Sequence, residues 1–571
     1  MAHESAAGER KGFAAAGGEK GRYALFLAAA VVLAVLVLYP LGILFVKSFR
    51  TAAGAFTLSH YVQVFTDAEI FGSLLNSLWV GAGCVAVSLA LGVPLAWGVT
   101  RTNMPLRRFV PLMVVVSFTT PSFLSAVAWI ILLGPRAGYL NTLLRDTFGL
   151  AQSPMNIFSV GGLVFVLTCH LYPFVYFSTA AALENMDPAL EEASDMLGAS
   201  KIRTMLSTTL PLVLPGILAG SILIFLDSIA LFGAPAMIGM PFHFYTMATR
   251  IYALFSAPPK FELAAAVAVP MILVTIAVLV FQRRMLQRRQ FVTVAGAASH
   301  PNRLDLGRWR YAMAGYALLV LGVTIVLPFL TLLVISFVKV FGMPLGAANL
   351  SLKNFWFVLM DSDLTRAGLR NSFFLASLAA VASAFVALIL AWIVARTEVP
   401  GRELLTLLVL LSFSFPGIAF GAGLIFAFGG APAHLYGTIW ILLIAYTVKG
   451  TPLVFMLARG AFRQIGRELS EAAQTLGASS ARALFDVDLP LVRTGLVAGA
   501  ITVFVIMVRE LSSSILLYSG GNEVIAVSIF ELSEENLFPP MAALSTLVIA
   551  GGLLLTAAAQ RMLSRAGLKA R

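Results

Sequence analysis

Twelve apolar runs of about twenty residues or more divide this chain, and each is long enough to cross a hydrocarbon core of about 30 Å as an α-helix. A chain in lipid must satisfy its own backbone hydrogen bonds, which makes helices the expected solution. Hydrophobic residues make up 59% of the 571 positions, charged residues only 12%, and the mean hydropathy is +0.91, a composition that excludes a soluble domain of this size. The fold class expected is an all-α integral membrane protein of about twelve transmembrane helices. The net charge of +12 does not point to nucleic acid, because the basic residues sit in short segments bordering the apolar runs and form no continuous stripe. They read as topology signals.

The runs lie near 23–46, 72–100, 109–134, 157–181, 212–233 and 262–282, then near 311–338, 372–395, 404–430, 436–459, 490–517 and 540–560. The first exceeds the 7–15-residue core of a signal peptide and is expected to stay as an anchor. The organisation expected is a cytoplasmic tail (1–22), a first six-helix half (23–282), a basic cytoplasmic linker (283–310), a second half (311–560) and a second cytoplasmic tail (561–571). Arginine and lysine flanks put both termini inside. Cys84 and Cys169, each within an apolar run and without metal-type spacing, read as small packing residues.

The halves are a tandem duplication. Asn76-Ser77, Ala96-Trp97, Arg101-Thr102, Pro105, Ser117-Phe118 and Pro121 recur 295 residues later as Asn371-Ser372, Ala391-Trp392, Arg396-Thr397, Pro400, Ser412-Phe413 and Pro416. An even number of spans per half implies parallel repeats related by a pseudo-twofold axis along the membrane normal. The offset falls to 279 further on, which places extra residues of the first half in an outer loop, Pro135–Phe158.

The most informative repeat is polar. Glu192-Ala-Ser-Asp-Met-Leu-Gly198 is followed after nine residues by Thr208-Thr-Leu-Pro211, and Glu471-Ala-Ala-Gln-Thr-Leu-Gly477 by Val487-Asp-Leu-Pro490. A glycine suited to the left-handed conformation closes a short helix, and Leu-Pro is expected to open the next apolar one. At these residues the chain resembles the permease subunits of binding-protein-dependent ABC importers of type I. Their cytoplasmic signature is Glu-Ala-Ala, three residues, Gly, nine residues, then Ile-x-Leu-Pro; Val487, Ser194 and Thr208 depart from it.

The resemblance implies that Glu192, Ala193, Ser194, Leu197, Gly198 and Pro211, with Glu471, Ala472, Ala473, Leu476, Gly477 and Pro490, dock an ATPase dimer at the cytoplasmic face. It also implies a substrate-binding protein at the outer face, and ATP with Mg held by the ATPase instead of by this chain. Phe232–Gly239 with Arg250-Ile-Tyr, and Arg509-Glu-Leu followed by serines, look like ferric iron permeases. Permeases for thiamine, polyamines and phosphonates share the two-half plan, and Leu231 stands where many iron permeases carry an acid.

No Gly-x-x-x-x-Gly-Lys-Ser/Thr stretch occurs, so a nucleotide-phosphate cradle is expected on another subunit. The six histidines are scattered, and no nucleophile–base pairing or metal-ligand spacing suggests an enzyme. Asp227, Arg509 and Glu510 interrupt the fifth apolar run of each half, where a charge costs at least a few kcal/mol; they either line the translocation path or are satisfied by neighbouring helices. Gly233–Pro235 and Ser512–Ser514 follow them; these residues could unwind those helices, but ordinary packing by small residues is the favoured reading. Tyr245, Arg250, Tyr252 and Lys260 in one outer loop face the counterpart Glu523, Glu531, Glu534 and Glu535, a charge contrast that suits a two-lobed binding protein. The competing class is an ion-coupled secondary transporter, which needs no duplicated cytoplasmic signature.

Overall fold

A computed structural model describes residues 21, 23–187, 189–256, 258–288 and 303–565. The expected tail before residue 21, the linker centre at 289–302 and the chain beyond 565 lie outside them. Among the described residues the chain is helical, with only three isolated β-bridges. Among the described residues ten continuous helices are long and apolar enough to span a membrane, and counting each of two bent pairs as one span brings the number to twelve.

The differences from the expected boundaries have local causes. The second span of each half begins earlier than its apolar run, at Ala68 and Asp363, because polar first turns extend the helix. Asp67 caps the one through the amides of Glu69 and Ile70, and Ser362 caps the other through Thr365. The third span is not one rod. It bends by 91° between Val110–Ser117 and Ser122–Leu133, and by 108° between Arg402–Ser412 and Gly417–Phe428. Pro121 and Pro416 sit at these bends, where a proline removes an amide and disfavours helix for the residue before it. The sixth span continues past 282 to Arg288, and the next begins at Trp309.

Pro211 and Pro490 do not open new helices. The fifth spans already start at Lys201 and Ser480, and a five-residue π turn, Met205–Thr209 or Leu484–Asp488, precedes each Leu-Pro. The same turn precedes Pro40 and Pro328 in the first spans, at Ala34–Leu38 and Gly322–Val326. Proline inside an α-helix clashes with the carbonyl four residues back, and the wider i→i+5 turn relieves that clash without ending the helix.

Each half lends its first span to the other. Tyr39–Ser48 packs on Gly417–Phe428 of the second half, and Leu327–Ser336 packs on Ser122–Leu133 of the first. Gly423 makes the former contact possible, since a Cβ there would lie 2.8 Å from the Pro40 carbonyl oxygen. The Tyr316 hydroxyl crosses between halves to the carbonyls of Ala90 and Leu91 at 2.9 Å. The first half's extra residues after its third span include a helix, Tyr139–Phe148, pinned by buried Asn141 to the carbonyls of Leu133 and Met155.

Candidate functional site

The two polar repeats form matching short helices, Ala189–Met196 and Glu468–Thr475, on one face of the molecule. Each ends at a glycine in the left-handed region, Gly198 with φ +80° and Gly477 with φ +94°. The tight reversal leaves the preceding leucine projecting: Leu197 is 88% exposed and Leu476 89%. Glu471, Ala472, Glu192 and Ala193 are also exposed, while Ser194 and Ala473 turn partly inward. Ser194 Oγ meets Thr204 Oγ1 at 3.0 Å, tying the first loop to the helix that follows.

Both loops are locked to the end of the second span by a buried arginine, a role the sequence reading missed. Arg101 donates to the carbonyl of Leu183 at 2.8 Å and pairs with Glu191 at 3.5 Å, and Thr209 Oγ1 donates to Glu191 at 2.6 Å. In the second half Arg396 Nε donates to Asp488 Oδ1 at 3.2 Å, and Ser470 Oγ donates to the same oxygen at 2.7 Å. At the 279-residue offset Glu191 corresponds to Ser470 and Thr209 to Asp488, so acid and hydroxyl have exchanged places around an unchanged arginine. The repeated Arg-Thr was the available signal.

A second polar cluster lies where the fifth spans break, after Ala230 and after Met507. Glu510 accepts from Lys449 Nζ at 2.8 Å and from the Ser513 amide and hydroxyl, each at 3.0 Å. It therefore fixes Ser513, the residue from which the short helix Ser514–Leu517 resumes beyond the break. Tyr446 and Ser514 share a hydrogen bond of 2.7 Å beside it. Gly417 at the bend leaves the room these groups fill, since a Cβ there would meet Lys449 Nζ at 2.8 Å.

The first half faces this cluster. Asp227 lies within electrostatic reach of Lys449 and Glu510, and among the described residues no hydrogen bond reaches its carboxylate. His170, held by backbone groups of Ser117 and Thr120, lies within reach of Arg509, whose Nη1 is buried without a hydrogen-bond partner among the described residues. His170 and Lys449 are equivalent at the 279-residue offset. The three charges expected from sequence thus come together at the midline, joined by Lys449 and His170, which sequence reasoning passed over. Lys449 lies in an apolar run as conspicuously as Asp227 does.

On the face opposite the signature loops, short helices Met247–Phe255 and Ile525–Glu534 close the ends of the halves. The repeated Asn-Ser holds them in place. Ser77 Oγ accepts the Met247 amide at 2.8 Å and Ser372 Oγ the Ile525 amide at 2.7 Å, while Asn76 and Asn371 donate to the carbonyls of Tyr245 and Glu523. Phe232, Tyr252 and Phe530 then meet across the halves, with Phe232 5.0 Å from Tyr252 and 5.8 Å from Phe530. The expected basic side is partly spent internally: Arg250 lies 4.3 Å over Tyr245 and pairs with Glu69 at 3.2 Å. The acidic side is crowded. Burial, then the neighbouring carboxylates Glu523, Glu535 and Glu534, push Glu531 above the usual carboxylate range, and burial does the same to Glu534.

Among proteins of known description, FbpB 1 of Haemophilus influenzae, named for a ferric transport system permease, is 26% identical over 89% of this chain and 79% of its own length. The ferric transport system permease protein FbpB of Actinobacillus pleuropneumoniae is 25% identical over 90% of this chain and 74% of its own. The spermidine/putrescine transport system permease protein PotB of Escherichia coli is 32% identical, over 32% of this chain and 66% of its own. The family model described as binding-protein-dependent transport system inner membrane component matches twice, at residues 88–291 and 384–566, one copy in each half. Duplicated signature loops, twelve spanning segments and these matches agree: the chain belongs to the inner membrane components of binding-protein-dependent transport systems, as a fused two-half ABC permease.

Proposed function

We propose that this permease carries ferric iron, delivered by a binding protein at the face of Met247–Phe255 and Ile525–Glu534, and driven by ATPase subunits seated on the two signature loops. The observation that carries the coupling reading is the pair of exposed leucines, Leu197 and Leu476, each presented beyond a helix end that a buried arginine locks to a spanning helix. In this reading Glu192, Ala193, Ser194, Gly198 and Pro211, with Glu471, Ala472, Ala473, Gly477 and Pro490, shape the docking helices. ATP and Mg belong to the partner. Movement of the ATPases is relayed through the continuous helices from Lys201 and Ser480 to the breaks at Leu231 and Val508. Asp227, Glu510 and Arg509, with Lys449 and His170, then line the path opened between the halves.

Similarity to two ferric permeases over nearly the whole chain supports iron as the solute. The acidic outer helix Ile525–Glu534 suits a cation. The test is radioiron uptake in cells lacking this chain and in the same cells carrying it. Uptake restored by the chain and unaffected by excess spermidine or thiamine is the expected result. Restoration of spermidine uptake without iron uptake would move the assignment to polyamines, and failure to pull down any ATPase would remove the coupling reading.

A further inference from the structure

Loops 102–108 and 397–403 are equivalent, yet their charges are handled in opposite ways. In the second half Arg402 donates to the Thr397 carbonyl, Glu403 pairs with Arg459 at 3.4 Å and Glu398 with Arg467 at 3.5 Å. In the first half Asn103 replaces Glu398 and Arg108 replaces Glu403, so both acids are gone. Arg107, Arg108 and Arg303 have no ion pair among the described residues, and Arg107 Nη1 is buried without a hydrogen-bond partner.

The chain entering the second half adds Arg303 to this loop and is fastened there. Leu304 N donates to the Arg101 carbonyl at 2.9 Å, Asn103 N donates back to Leu304 at 3.3 Å, and the Asn103 side chain bonds both Asp305 and the Leu306 amide. This brings Arg303 close enough to Arg107, with Arg108 alongside, that like charge adds to desolvation in lowering the Arg107 guanidinium from its ordinary value. Three cations are thus held together with no ion pair to them among the described residues, the one acid on this strap, Asp305, being taken up by Asn103 and the Gly307 amide. Around them Phe109, Trp309 and Tyr311 are 64%, 68% and 61% exposed at the starts of spanning helices, the position where aromatic side chains meet the boundary of water and hydrocarbon.

We propose that Arg107, Arg108 and Arg303 form a binding site for the phosphate headgroup of an anionic phospholipid, between the two halves on the face that carries the signature loops. Guanidinium groups match phosphate oxygens bidentately, and basic pockets between spanning helices take acidic lipid headgroups. The exposed aromatic rim favours lipid over an acidic protein surface.

The test is native mass spectrometry of the full chain purified in detergent, offered phosphatidylglycerol or phosphatidylcholine of matched acyl chains. The intact chain is expected to retain phosphatidylglycerol. Arg107→Gln/Arg108→Gln/Arg303→Gln is expected to lower that retention at least about tenfold, from the loss of three surface cations, and to leave phosphatidylcholine unchanged. Arg303→Gln alone, outside the spans, is expected to give a smaller loss and serves should the triple variant fail to insert. Arg402→Gln, at the partnered equivalent, is expected to change nothing. Equal retention by all variants, or an equal loss from Arg402→Gln, overturns the site. Displacement of the lipid by glycerol phosphate at the same concentration reassigns it to a free phosphate. A triple variant that keeps its lipid but loses its ATPase reassigns it to a protein contact.

Discussion

Arg396 and Asp488 form a buried ion pair of 3.2 Å, with side chains 6% and 1% exposed, that fastens a signature loop to the end of a spanning helix. Its counterpart reverses the order of the partners, with Glu191 on the loop where the second half has Ser470. The geometry has outlasted the residues that make it. Removing the acid should therefore be repairable from the other position. Asp488→Thr is expected to strand the Arg396 charge at a cost of about 3–5 kcal/mol, seen as lower thermal stability and lost uptake. Adding Ser470→Glu rebuilds the first-half arrangement and is expected to recover most of both. No recovery in the double variant would show that the two halves hold their loops by different means.

At Gly477 the space around a new side chain is open, so any penalty comes from the backbone. A φ of +94° costs an ordinary residue about 1–2 kcal/mol, and asparagine tolerates it better than a β-branched residue. Gly477→Val is expected to lose uptake and ATPase binding at matched abundance, Gly477→Asn to retain most of both, and Gly198→Val to be the milder valine change. Uptake assays on the three variants decide it, and undiminished uptake in a Gly198→Val/Gly477→Val double variant would mean that these loops do not couple.

Twelve spans, the duplication and the signature loops were legible because each rests on sequence that repeats or on apolar length. The breaks after Ala230 and Met507 were only half legible, because the small and polar residues that follow them serve close helix packing as readily as unwinding. The helix starts at Lys201 and Ser480 were hidden, because Leu-Pro imitates a helix beginning and only a π turn lets the proline sit inside. Arg101 and Arg396 were concealed by position: an arginine at the end of an apolar run satisfies the topology rule and invites no second reading. Lys449 lost its prominence beside the adjacent charges Arg509 and Glu510.

Lys449→Met leaves Glu510 with only the Ser513 donors and removes the cation facing Asp227. Uptake is expected to fall at least about tenfold, in line with the cost of an uncompensated intramembrane charge. Lys449→His copies the first-half residue His170 and is expected to be less severe. Glu510→Gln keeps an acceptor for the Ser513 amide and should preserve folding while reducing uptake, as read from membrane abundance against transport.

Glu531 and Glu534 titrate above the ordinary carboxylate value, so the native state holds protons that the unfolded chain releases. Their contribution to stability is full below the unfolded value and is lost as pH rises through the folded one. Acidification from neutral pH toward 4.5, the ordinary glutamate value, is expected to raise the melting temperature through this term. Glu531→Gln should flatten it. A melting profile with the same slope in both proteins would dissociate these carboxylates from the effect.

Cys84 and Cys169 are buried and can be replaced to give a background for labelling. A cysteine at exposed Gln152, in the loop assigned to the outer face, is expected to react in whole cells with a membrane-impermeant thiol reagent. One at exposed Arg308, on the face assigned to the cytoplasm and outside the docking helices, is expected to react only after permeabilisation. The opposite pattern inverts the orientation.

The exchange of first spans sets a timetable for biosynthesis. Tyr39–Ser48 leaves the ribosome early, but its packing surface at Gly417–Phe428 is translated roughly 370 residues later. At about 5–20 residues per second, that segment waits roughly 20–70 s in the bilayer with lipid, or an insertion factor, against the face it will later bury. The first half cannot mature when its own last residue is made, whereas Leu327–Ser336 emerges to find Ser122–Leu133 already in place, and joining both on one messenger guarantees that the awaited helix arrives in the same place and in equal number.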